Sequence, residues 1–237
     1  MIIERPSSAR GQAGHGGWLD SRHTFSFGQY YDPQWMGFGA LRVINEDRVA
    51  GGAGFAPHSH ANMEILSLVL EGGLAHKDSS GGGGVIGPGE VQWMSAGHGV
   101  QHSEFNASQT EPVHFLQVWI QPDRVNAAPA YAQRAPQPDD DAGDWVLIAS
   151  PDGEARSLAI RQQARLYRVR LAADGRVATL LDPTRRYWLQ IAEGAATTGL
   201  QLLDAGDALG FVDESGPLVL TAREGPAVAL LFDLPRD

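Results

Sequence analysis

The chain has 237 residues, with 29 glycines, 14 prolines, 43% hydrophobic residues and no cysteine; this length can bury one large core or two small ones, and short strands joined by tight turns are favoured over long helices. Against 18 Lys and Arg stand 28 Asp and Glu, a formal charge of −10 that repels phosphate backbones and argues against direct nucleic-acid binding. Without cysteine there are no disulfides and no thiolate ligands, so any metal must be held by nitrogen and oxygen.

The first residues, Met1-Ile2-Ile3-Glu4-Arg5-Pro6, lack an apolar signal core, and no apolar run approaches the ~20 residues that span a bilayer. A soluble cytoplasmic protein without membrane association is therefore expected. From Phe38 onward, short apolar runs at 41–44, 65–70, 85–86, 91–94 and 115–120 are punctuated by glycine, lengths that suit strands. Between Pro122 and Asp144 the composition shifts to Pro, Ala, Gln and Asp, a linker with room for a short helical piece. Strand-like runs resume at 145–148, 166–171, 187–191, 200–203, 218–221 and 228–232. The expected architecture is all-β: an N-terminal domain over 1–130, a linker over 131–144 and a C-terminal domain over 145–237. The pattern Leu68-Val69-Leu70-Glu71-Gly72 is echoed by Leu189-Gln190-Ile191-Ala192-Glu193-Gly194, each followed by a glycine turn and a strand, which points to a duplicated barrel.

All 8 histidines precede the linker, so a second copy of the barrel would lack the commonest nitrogen ligand and would be structural. His58-Ser59-His60 and His102-Ser103-Glu104 are both donor-x-donor pairs. On a strand, residues i and i+2 share a face, so each pair forms a pincer. A lone His-x-His is more often a pair of surface or hydrogen-bonded histidines. Two such pairs on facing strands deliver three imidazoles and one carboxylate to one point. That donor set suits a single divalent iron, nickel, copper, cobalt, manganese or zinc. Six-coordination then leaves two positions open for water, substrate or dioxygen, as a catalytic site requires. Glu64, four residues after His60, is a competing carboxylate. If its strand faces inward as Glu64, Leu66, Leu68 and Leu70, Glu64 sits where apolar burial ends, as a ligand or as support for a histidine.

The remaining features read more plainly. Gly81-Gly82-Gly83-Gly84 lacks the Lys-Ser/Thr ending of a phosphate loop and suits a hairpin tip. His23 reads as structural or as lining a pocket mouth, His76 and His98 as exposed turn residues, His114 as a partly buried strand residue, and Trp93 and Met94 as barrel core. The Asn106-Ala107-Ser108 triplet is a chance glycosylation match in a chain without an export signal. Arginines between Arg156 and Arg186 follow an acidic run at Asp139, Asp140, Asp141 and Asp144. Such blocks are normally solvated or pair with each other, and a partner surface is the lesser reading.

The chain resembles the pirins, members of the cupin superfamily. The resemblance lies in Ser21-Arg22-His23-Thr24-Phe25-Ser26-Phe27, Tyr31-Asp32-Pro33, Met36-Gly37-Phe38-Gly39-Ala40-Leu41-Arg42-Val43-Ile44, Pro57-His58-Ser59-His60 with Met63-Glu64, Gln92-Trp93-Met94-Ser95-Ala96-Gly97 running into His102-Ser103-Glu104, and Leu116-Gln117-Val118-Trp119-Ile120. It is dense over about the first 120 residues. It implies two cupin-type (jelly-roll) barrels, a bicupin, whose first barrel binds Fe(II) through His58, His60, His102 and Glu104, with Glu64 held back. The second barrel is implied to lack a metal.

From the resemblance to bacterial pirins, the expected activity is that of a metal-dependent dioxygenase opening quercetin-like flavonols with O2. Glu104 or Glu64 would be the base that takes the substrate hydroxyl proton. A second reading is a non-enzymatic, iron-binding, redox-responsive regulator acting on a protein partner through the arginine-rich stretch. A cupin-type sugar isomerase is disfavoured, because no phosphate-binding Lys and Arg cluster accompanies the ligands.

Overall fold

The structure is a computed structural model and describes residues 1–199 and 201–236; Leu200, at the start of the strand expected over 200–203, lies outside them. The chain divides into two compact units, one formed by 11–136 with 160–162 and the other by 1–10, 137–159 and 163–237. This departs from the expected 1–130, 131–144 and 145–237 division. The first strand, β1 (Ile2–Arg5), belongs with the second half of the chain, because it completes a sheet edge there.

The first unit contains β2 (Gly11–His15), β3 (Leu19–His23), β4 (Leu41–Val49), β5 (Gly54–His60), β6 (Glu64–Glu71), β7 (Leu74–Asp78), β8 (Gly83–Ile86), β9 (Val91–Ser95), β10 (Val100–Asn106), β11 (Val113–Ile120) and β12 (Ala130–Arg134). Two sheets result, ordered β12-β9-β6-β11-β4-β3-β2 and β5-β10-β7-β8. β12 falls where a linker was expected. Its alternating small and polar residues, Ala130-Tyr131-Ala132-Gln133-Arg134, pair antiparallel with β9. The side chains inside this barrel form two apolar clusters. One contains Val49, Val69, Leu74, Ile86, Val113 and Phe115, and the other Ile65, Met94, Ala96 and Val100. Between Ile65 and Val69 on the same face of β6 stands Ser67, and alongside it lie Gln92 and Gln117, which join it in hydrogen bonds to Glu104. A polar band thus crosses the barrel between two apolar plugs.

Gly97 fixes the entry into β10. Its φ is +50°, and a Cβ there would run into the Ala127 carbonyl, so only glycine fits this turn. The turn sets the phase of the strand that carries His102 and Glu104.

The second unit holds β1 with β13 (Val146–Ser150), β14 (Leu158–Ala159), β15 (Arg165–Leu171), β16 (Arg176–Leu181), β17 (Arg186–Thr198), β18 (Gln201–Asp204), β19 (Ala208–Val212) and β20 (Gly216–Leu234). Its path runs β1-β19-β17-β20-β15-β13-β14, with β16 on β20 and β18 on β17. Its apolar cluster is built on Val169, Leu189, Ile191, Leu209, Leu220 and Leu231 among others. Its arginines are largely paired within the unit: Arg168 with Asp140 at 3.1 Å, Arg170 with Asp141 at 3.5 Å, Arg165 with Glu154 at 3.0 Å, and Arg185 with Asp233. No helix of the described residues is long and apolar enough to cross a membrane.

Candidate metal centre

β10 lies between β5 and β7 in the four-stranded sheet. Across one edge His102 stands opposite His58 and Val100 opposite His60. Across the other, His102 stands opposite Asp78 and Glu104 opposite His76. Residues directly opposite in a ladder share a face, so the pairing brings His58, His60, His76, His102 and Glu104 to one side of the sheet. The ring centroids of His58 and His102 are 4.4 Å apart, those of His58 and His60 4.8 Å, and those of His60 and His102 4.9 Å. Two groups of donor atoms converge to within 4.8 Å, one from His58, His60 and His102, the other from His76, His102 and Glu104. His102 belongs to both.

The donor state of these rings follows from their neighbours. His58 Nδ1 lies 2.8 Å from the Ala56 carbonyl, an acceptor only, so Nδ1 donates there and Nε2 is the nitrogen left to face a metal. Burial draws the His102 pKa down to about 3, with the nearby His58 and His60 adding to the effect. His60 is drawn down to about 4 by burial and by His58. Both rings are neutral near pH 7. His102 Nε2 is buried and has no hydrogen-bond partner among the described residues. A buried ring nitrogen without a partner is unfavourable, and a divalent cation facing the three imidazoles would satisfy it. The donor set therefore fits a metal.

Glu104 sits across the polar band. Gln117 Nε2 donates to it at 2.6 Å, Ser67 Oγ at 3.2 Å and Gln92 Nε2 at 3.4 Å. Burial pushes its pKa up, while His76, Gln117 and Ser67 pull the other way. Beyond it lies Asp47, also buried, whose pKa is raised to about 7 by burial against the lowering effect of the Ser21 hydroxyl, with Glu104, Glu46 and Asp20 raising it further. Beside His60, Trp119 packs edge-on at 4.8 Å, and Phe27 packs edge-on against Trp119 at 5.3 Å. An aromatic wall therefore adjoins the histidine trio at His60.

Glu64 is not part of this cluster, contrary to its expected place near the metal or as the base. The inward residues of β6 are Ile65, Ser67 and Val69, so Glu64, Leu66 and Leu68 face the other side of the sheet. There Glu64 accepts hydrogen bonds from Trp93 Nε1 at 2.8 Å, from the Arg161 amide at 3.0 Å and from the Ser95 hydroxyl. Trp93 lies on that side too, while Met94 is in the core as expected.

His76 also departs from its expected place in an exposed turn. It is 4% exposed and stacks on Tyr131 at 4.9 Å with 15° between the planes. Its Nε2 lies 3.0 Å from Asp78 Oδ2 and its Nδ1 3.4 Å from His102 Nδ1. The inward alternation Leu74, His76, Asp78, with Lys77 outward, was the sequence signal for this. Burial pushes Asp78 up, but hydrogen bonds from Ser80, His76 and Gly82 outweigh it and hold it at about 2. His98 lies in an exposed turn. His114 is a buried strand residue paired with Glu46 at 2.9 Å, and His23 is buried against Phe27 and Tyr30.

Residues 6–120 match the Pirin family, and residues 147–234 match the family described as the quercetinase C-terminal cupin domain. A quercetin 2,3-dioxygenase of Escherichia coli K12 is 43% identical over 235 residues, 99% of each chain. A putative quercetin 2,3-dioxygenase of Pseudomonas aeruginosa is 40% identical over 232 residues, 98% of this chain and 99% of that one. Among solved structures, the bacterial pirin YhhW from Escherichia coli in complex with nickel(II) superposes with a TM-score of 0.90 at 43% identity, covering 99% of both chains.

Proposed function

The chain belongs to the pirin family, and from that premise we propose that it is a mononuclear metal-dependent dioxygenase that opens the flavonol ring of quercetin-like substrates with O2. The observation that carries the reading is the convergence of His58, His60 and His102 around a buried His102 Nε2 that no protein group satisfies. Glu104 is proposed as the fourth donor. Fe(II) is the proposed ion, and nickel is the ion named for a solved relative.

A bound divalent ion supplies Lewis acidity and redox mixing between an electron-rich flavonolate and dioxygen. The rest of the work belongs to the chain. Three neutral imidazoles leave the site with a net positive charge, which favours the deprotonated substrate. The aromatic wall of Trp119 and Phe27 orients a flat ring system beside His60, which supplies proximity. Glu104 is the proposed proton acceptor for the substrate hydroxyl. Its burial raises its affinity for that proton, while Gln117 and Ser67 fix its orientation. The apolar clusters lie on either side of the polar band, where Glu104 is buried.

The test is oxygen uptake by metal-loaded protein against a panel of flavonols. Uptake that requires both the protein's metal and a 3-hydroxyl on the substrate supports the reading, and no uptake with any flavonol contradicts it. The redox-regulator reading depended on a free basic surface. Since Arg165, Arg168, Arg170 and Arg185 are ion-paired within their own unit, no observation favours it.

A further inference from the structure

Behind His102, on the side away from His58 and His60, His76 and Asp78 form a line with no assigned role. Asp78 Oδ2 lies 3.0 Å from His76 Nε2, and His76 Nδ1 lies 3.4 Å from His102 Nδ1. Both the His76 and Asp78 side chains are fully shielded from solvent. We propose that Asp78 and His76 are positioning residues that fix His102 in the tautomer presenting its Nε2 lone pair to the metal. The inference rests on the metal-site reading above.

A carboxylate only accepts hydrogen bonds, so the proton between Asp78 and His76 is on His76 Nε2. On the metal-site reading His102 Nε2, the buried atom without a protein partner, presents its lone pair to the ion, so the one proton of that imidazole is on Nδ1. The atom facing that proton is His76 Nδ1, which accepts it while His76 Nε2 donates to Asp78. Outer partners of ligating histidines commonly set tautomer and ring orientation in this way. Here the carboxylate acts at one remove, through a second imidazole.

Asp78 itself is anchored. Its Oδ1 receives the Ser80 amide at 2.8 Å, the Ser80 hydroxyl at 2.7 Å and the Gly82 amide at 2.9 Å, while Oδ2 is left for His76. This asymmetry makes Asp78→Asn a directed change. Two backbone donors and a hydroxyl hold the asparagine carbonyl oxygen at the Oδ1 position, so its NH2 group faces His76 Nε2. His76 must then accept at Nε2 and carry its proton on Nδ1. His102 Nδ1 becomes the acceptor, and the His102 proton moves to Nε2, where the metal would bind. The tautomers of both rings reverse while the fold keeps its contacts.

The test combines two readouts on the full chain. Long-range 15N–1H correlation spectra of the metal-free protein report each ring's tautomer, and competition against a chelator reports Ni(II) affinity. The wild type should show His102 protonated at Nδ1 and His76 at Nε2. Asp78→Asn should reverse both and weaken Ni(II) binding ~10–100-fold, the range for loss of an outer partner of a ligating histidine. In a His76→Phe background, which keeps the stacking on Tyr131, Asp78→Asn should change nothing further, because the line is already cut. The proposal is overturned if the wild type shows the opposite tautomers or if Asp78→Asn leaves tautomers and affinity unchanged. An equal loss of affinity from Asp78→Asn in both backgrounds also overturns it, as does loss of one imidazole from the Ni(II) coordination shell in His76→Phe. A protein that binds Ni(II) and shows these effects without turning over any flavonol retains the relay and loses only the dioxygenase reading.

Discussion

Glu64 and Glu104 are both about 1% exposed, yet their surroundings separate what each removal does. Glu64→Ala strands Trp93 Nε1, the Arg161 amide and the Ser95 hydroxyl. At ~1–3 kcal/mol per unsatisfied buried group with partial relaxation, it should destabilise the protein by roughly 2–4 kcal/mol, with the metal content of the folded fraction unchanged. Glu104→Ala should instead reduce metal occupancy. Denaturant titration alongside metal analysis of both variants checks this; a metal-free Glu64→Ala beside a fully loaded Glu104→Ala would reverse the assignment.

Asp47 gives a pH dependence. Its folded pKa of about 7 lies above the ordinary 3.8, so the native state binds the proton more tightly than the unfolded chain. The associated stability is fully present below about pH 4 and is lost as pH rises through about 7. Asp47→Asn keeps an acceptor for the Ser21 hydroxyl and removes the buried charge. It should therefore raise the melting temperature of the metal-free protein at pH 8 and leave it nearly unchanged at pH 4. A variant that melts lower at pH 8 would contradict this.

The three histidines of the trio were legible because i, i+2 spacing survives in any strand. Glu64 was misplaced because β6 is buried on both faces from Glu64 to Val69, so hydrophobicity carries no phase. Ser67, the one polar residue inside that run, was the clue to which face looks inward. His76 was missed because its short strand reads as a polar stretch ending in glycines.

Among the elements, β1 is the one whose place no local pattern announces. Ile2 to Arg5 pair with Phe211 to Ala208 on β19, and the Ser7 amide donates to Asp207 at 2.6 Å. A four-residue strand says nothing about a partner some two hundred residues away. Removing residues 1–10 exposes the β19 edge, and an open edge invites intermolecular pairing. Hydrogen exchange on the truncated chain should show protection lost at the β19 amides that face β1 and kept over β6 and β11, with increased aggregation. Unchanged protection at β19 would mean that β1 is dispensable. β12 was hidden for another reason: Pro, Ala and Gln around it mask a five-residue strand that is held by pairing with β9.

For the whole molecule, the duplicated all-β architecture was legible in the spacing of apolar runs and glycine turns, while the division of the chain between units was not. The distribution of histidine leads to a stoichiometry. None of the 8 lies beyond His114, so the second unit has no imidazole to offer and the purified protein should hold one metal per chain. A second stoichiometric ion bound beyond residue 136 would contradict a purely structural second barrel.

The proposed function places flavonol cleavage by dioxygen at the His58, His60, His102 and Glu104 constellation. Carbon monoxide release from quercetin tests it most directly, measured together with the ring-opened product at matched total metal, since free iron oxidises flavonols slowly. Wild-type protein should release carbon monoxide in step with oxygen uptake, and His102→Ala should fall to the level of metal alone. Equal rates from the two proteins would place the chemistry outside this barrel and contradict the account.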